Sequence, residues 1–131
     1  MPSYDIGTAA FVVGAPRKWV DNLASHHSLS GVESKRRGIR REFSFDAVVL
    51  LAVVRWLVDE LGLPLRRAVE VAENACRDPD GSVSFPNGFR LSIDQEAVTR
   101  EVRQRLLEAA ESVPRIRRGR PPRQPDRPSP S

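Results

Sequence analysis

Arg17, Lys18 and Asn22 stand close together behind Pro16, and Lys35, Arg36, Arg37, Arg40 and Arg41 follow in a polar loop from Ser28 to Glu42. Guanidinium and ammonium groups bind phosphate oxygens, and a side-chain amide can both donate to and accept from a base edge. The chemistry open to this set is recognition of a polyanion rather than bond making. A second basic group, Arg117, Arg118 and Arg120, surrounds Gly119 ahead of Pro121 and Pro122. An extended backbone with glycine at its centre can lie in a narrow A·T minor groove, whose enhanced negative potential attracts arginine. Other chemistries find no support. His26 and His27 are adjacent, with no Cys or carboxylate at metal-ligand spacing, which points to a structural or phosphate-contacting role. No nucleophile motif, paired-carboxylate site or phosphate-cradling glycine loop is present. The expectation is a non-enzyme with no cofactor and no metal.

The elements that must position these residues are legible from spacing. Ile6 to Val13 has the small and apolar residues of a buried helix, and Gly14 permits a sharp reversal. Pro16 sits where a second helix begins. That helix, Arg17 to Leu23, offers Trp19 and Leu23 to the core and its basic and amide side chains to the other side. The basic loop that follows is expected to pair into a small wing, with its cations against phosphates. Helix, turn, basic helix and basic wing together describe a winged helix-turn-helix for duplex DNA.

Ser44 is a good N-cap for a helix from Phe45 to Leu61, apolar almost all round and therefore central. Gly62 ends it, and Pro64 opens a further helix from Leu65 to about Cys76. A turn-rich linker starts at Arg77. Two alternating runs around Pro86-Asn87-Gly88 predict a β-hairpin, and Asp94 caps a last helix from about Gln95 to Val113. Val98, Val102, Leu106, Ala109 and Val113 form one apolar stripe on that helix. The stripe either docks on its own domain or pairs with a second copy; the dimer is the reading carried forward, because two half-sites multiply the contacts of a small reading head. The tail from Pro114 is rich in Pro and Arg and is expected to be disordered.

Four segments resemble the successive signatures of the MerR-type superfamily: Tyr4 to Ala10, Ala15-Pro16-Arg17, Gly38 to Asp46, and Leu61-Gly62-Leu63-Pro64-Leu65. The resemblance covers residues 4 to 76. Val20, Asp21 and Asn22 stand where typical members carry an Arg and two Tyr, and Phe43 falls one residue later than the usual aromatic. The likeness is therefore to the wider MerR-like fold, which also includes phage excisionases. It implies a mainly α chain with a winged helix-turn-helix DNA-binding domain over 1–76; the residues beyond it add a hairpin plus helix for dimerisation or partner binding over 77–113 and a tail over 114–131. The Arg-Gly-Arg-Pro core of that tail resembles an AT-hook. Cys76 alone cannot form the multi-thiolate site of metal-sensing members.

Charge agrees with this division. Residues 16–42 hold seven Lys/Arg against three Asp/Glu, residues 43–114 eight against twelve, and residues 115–131 six against one. Positive charge is thus confined to the expected DNA face and the tail. The single cysteine, the absence of a signal-peptide pattern and the short apolar run Ala47–Val54 lead to an expectation of a cytoplasmic, nucleoid-associated protein with no membrane contact. The expected function is a sequence-specific transcriptional regulator acting as a homodimer. Two alternatives stay open: an antitoxin or assembly protein whose hairpin and last helix bind a partner protein, and an excisionase-like protein that bends DNA.

Overall fold

The computed structural model describes residues 3–27, 29, 31–32 and 41–112. Each helix begins and ends for a local chemical reason. Asp5 opens α1 (Ile6–Val13), its Oδ1 accepting the Thr8 N–H at 2.9 Å, one of the amides that a helix start leaves without an internal partner. Gly14 closes α1 in the left-handed region at φ 76°, and its N–H returns to the carbonyls of Ala10 and Phe11. Pro16 leads into α2 (Arg17–His26). Ser44 caps α3 (Phe45–Leu61) through the Ala47 N–H, and Gly62 ends it. Pro64 precedes α4 (Leu65–Arg77). Asp94 opens α5 (Gln95–Ser112), its Oδ1 accepting from Ala97 N–H at 3.0 Å. The described chain is mainly helical, as expected, and α2 runs three residues beyond the expected Leu23.

Helix α3 is the centre of the molecule. Val48, Leu51, Val54 and Leu57 are buried on it, and α1, α4 and α5 all pack against it. Helix α2 packs on α1 through the fully buried Val20 and Leu23. Two short antiparallel pairs complete the fold. β1 (Ser3–Tyr4) pairs with β2 (Phe43–Ser44), and Val32 bridges to the same Phe43, whose ring is fully buried. β3 (Ser82–Ser84) and β4 (Arg90–Ser92) form the expected hairpin, with Val83 opposite Leu91. Gln95 ties α5 to the end of α4 by donating from its side-chain amide to the carbonyls of Ala75 and Asp78, at 3.0 and 2.8 Å.

The apolar stripe of α5 is placed differently from the dimer expectation. Val102 and Ala109 are buried in the same core as α1 and α3, and Val98 and Leu106 pack against it. The physical reason is the shape of α3: a helix apolar almost all round offers more surface than α1 and α4 cover, and α5 packs on part of the remainder, with Trp56 left 53% exposed. Residues of the expected 77–113 unit thus share one core with the helices of the expected 1–76 unit. Val113 lies outside the described residues, as do most of the expected wing (33–40) and the tail from 114.

Candidate nucleic-acid interface

Burial of Val20 and Leu23 fixes the rotation of α2. With 100° between successive residues, Lys18, Asp21, Asn22 and Ser25 fall on the opposite, outward side. Lys18, Asn22 and Ser25 are exposed there. Trp19 lies at the flank, where the Arg55 guanidinium of α3 sits 5.0 Å from its ring centroid and links the two helices. His26 Nδ1 is 2.8 Å from the Asn22 carbonyl oxygen and donates to it in the tautomer protonated at that nitrogen. The Asn22 side-chain amide has no hydrogen-bond partner among the described residues.

Arg17 turns aside from this face. Its guanidinium lies over Gly7 on α1, so close that a Cβ at Gly7 would sit 2.7 Å from Nη2. It stays exposed at the seam between α1 and α2. Pro16 provides no side-chain cap, and the first turn of α2 carries no acid. The positive end of the helix dipole therefore opens to solvent beside Arg17 and Lys18.

Asp21 is the one acidic residue between Gly14 and Ser30, and Arg41 Nη1 meets its Oδ1 at 2.6 Å. The pairing removes the only carboxylate charge from α2. It also gives Arg41 a role different from the expected phosphate contact: the side chain is only 11% exposed and is held by Asp21. Lys35, Arg36, Arg37 and Arg40 lie outside the described residues. Val32 bridges to Phe43 before them, and Arg41 joins Asp21 after them. Sequence reasoning missed this ion pair, although a single acid in a basic stretch is a usable signal for one. Arg117, Arg118 and Arg120 also lie outside the described residues.

Comparison of the chain with protein-family models, with curated proteins and with solved structures gives no match. Among the described residues no helix is long and apolar enough to cross a membrane.

Proposed function

We propose that the chain is a MerR-like winged helix-turn-helix regulator that binds duplex DNA with α2 in the major groove. One observation carries the reading: α2 turns Lys18, Asn22 and Ser25 outward while its single carboxylate is neutralised by Arg41. A helix with side chains is about 10–12 Å across and the major groove is about 12 Å wide, so such a face can enter it without a free negative charge to repel phosphate. Lys18 then contacts phosphate, and Asn22 pairs with the edge of a base, adenine suiting its amide best. Arg17, at the open N-terminal turn, meets the phosphates beside the groove, and Lys35, Arg36, Arg37 and Arg40 meet those on the loop side. Two copies on two half-sites would raise affinity to the specific range, and their contact would use a surface other than the α5 stripe.

The test is selection of duplexes by the full-length protein, followed by binding titrations at two salt concentrations. Lys18→Ala is expected to weaken all sequences alike and to lower the salt slope by about 1, and Asn22→Ala to relax preference at one base position. Equal binding by wild type and both variants, or none, would count against the assignment.

A second reading has its own observation. Phe89 at the hairpin tip is 71% exposed, and Trp56 is 53% exposed beside a groove of about 570 Å³ between α3, β4 and α5. Large apolar side chains left exposed in this way suit a protein partner. A stoichiometric complex lost on Trp56→Ala or Phe89→Ser, without any duplex binding, would favour it.

A further inference from the structure

We infer that two copies of this chain meet on the open face of α3, in an antiparallel contact about a two-fold axis close to Trp56. The inference rests on the reading above only for the number of copies, and it gives the pair a surface. The α5 stripe is already laid on the common core, so the contact has to lie elsewhere. Ala52, Arg55, Trp56, Asp59 and Glu60 fall within about 140° of one another around α3. Trp56, Asp59 and Glu60 are exposed there, beside the groove of about 570 Å³ between α3, β4 and α5. This is the side of the central helix that its neighbours leave uncovered. A tryptophan left half in water on such a side is the kind of residue around which protein contacts form.

Charge decides the occupant. The signs are segregated along this face, with Arg55 ahead of Trp56 and Asp59 and Glu60 behind it. Arg55 Nε lies 2.9 Å from Asp59 Oδ2 but out of line for a hydrogen bond, and Glu60 has no ion-pair partner among the described residues. A second α3 laid antiparallel brings its Glu60 beside Ala52 and Arg55 of the first, and the reverse contact follows from the symmetry. Laid parallel, it would set carboxylate against carboxylate. The small side chain of Ala52 leaves room for the helices to approach.

The opposite rim of the groove also carries both signs, with Glu101 and Arg105 of α5 paired at 3.2 Å on successive turns. A partner of one sign, such as a nucleic acid, would meet like charge along half of such a surface. A second copy presents both signs at matching places. The two-fold also brings the Trp56 ring of each copy to the middle of the contact, where a buried tryptophan contributes most to affinity. A foreign protein in the groove is the competing occupant.

The experiment is sedimentation of the full-length protein without DNA across a range of concentrations, read with thermal melting and with oxidative cross-linking in a Cys76→Ser background. A reversible dimer is expected. Trp56→Ala should raise its Kd about 30-fold or more. Glu60→Arg, which sets a cation opposite Arg55, should also weaken the dimer, with its melting as in the wild type. Ala52→Cys mixed with Glu60→Cys should cross-link faster than either alone, because like positions stand about 12 Å apart along an antiparallel pair. A wild type that stays monomeric to about 100 μM overturns the inference. So does a dimer indifferent to both substitutions, or one in which Ala52→Cys links to itself. A monomer that instead takes up a foreign protein at Trp56 overturns it in favour of the second reading above. Duplex titrations of the same samples separate the two claims. Sequence-selective binding by a monomer leaves the DNA-binding reading standing without this contact, and a dimer that binds no duplex keeps the contact and removes that reading.

Discussion

Asp21 and Arg41, twenty residues apart, are joined by an ion pair of 2.6 Å that fastens the end of the basic loop to α2. Arg41 is largely covered while Asp21 stays 44% exposed, so the pair is screened on one side and its coupling is about 0.5–1 kcal/mol. Under the proposed function its electrostatic effect outweighs its stability, since it cancels a carboxylate on the face assigned to phosphate. Two opposite outcomes are expected for Asp21→Ala. Stability falls by about 1 kcal/mol, because Arg41 loses its partner. Non-specific affinity for duplex DNA rises, with a steeper salt dependence, because the freed guanidinium joins Lys18. Denaturant unfolding and salt titrations of the same variant decide it, and weakened DNA binding would sink the assignment of α2 to the DNA face.

Helix α5 is expected to unfold with the rest of the described fold. Val102 is buried in the common core, whereas Leu107, on the opposite side of the helix, is 63% exposed. Val102→Ala should cost about 2 kcal/mol and leave a single cooperative transition. Leu107→Ser should stay within about 0.5 kcal/mol. A second, separate transition in the wild type would mean that α5 is not part of the core.

This division explains what could be read from sequence and what could not. The ends of α1 and α3 were legible at Gly14, Ser44 and Gly62, because capping is settled by residues within one turn of each other. The hairpin was legible for the same reason, through Asn87 and Gly88. The pairing of Ser3 and Tyr4 with Ser44 and Phe43 was not, since two-residue strands carry no periodic pattern and their partners lie far apart in the chain. The stripe of α5 was visible, but a stripe states only that something covers it. Its partner is set by the unusual girth of apolar surface on α3, which becomes decisive only when the helices are assembled. The candidate site was read in part: Lys18 and Asn22 point outward, Arg17 and Arg41 are turned to α1 and Asp21.

Glycines at positive φ separate two costs that one substitution usually mixes. Gly14 has φ 76° and nothing within 4 Å of where a Cβ would sit. Gly14→Ala therefore carries the left-handed backbone term alone, about 1–2 kcal/mol. Gly81, at φ 71°, closes the start of the hairpin by accepting the Ile93 N–H at 2.8 Å. A Cβ there would run into the Ile93 carbonyl oxygen, a backbone atom that cannot step aside. Gly81→Ala should cost roughly 3 kcal/mol or more and loosen the hairpin from α5. Equal costs at the two positions, measured by urea unfolding, would contradict this geometry.

Cys76 closes α4 beside a cavity of about 310 Å³ that Asp46 and Glu73 also line. Cys76 is exposed as a residue but its thiol is partly covered, and that partial burial pushes its pKa up, with the Glu73 and Asp46 carboxylates pushing it further in the same direction. The folded protein thus holds the thiol proton at a pH where the unfolded chain, with an ordinary value near about 8.5, has begun to release it. Stability should therefore decline as pH rises past that ordinary value, until the folded thiol also ionises. Because the thiolate is the reactive species, alkylation of the native protein near pH 8 should be slower than that of the unfolded chain. Glu73→Gln removes one of the two carboxylates and should speed alkylation without changing the rate in denaturant. A native rate that does not respond to Glu73→Gln would mean that burial alone sets the thiol, and a native rate above the unfolded one would reverse the sign of the argument.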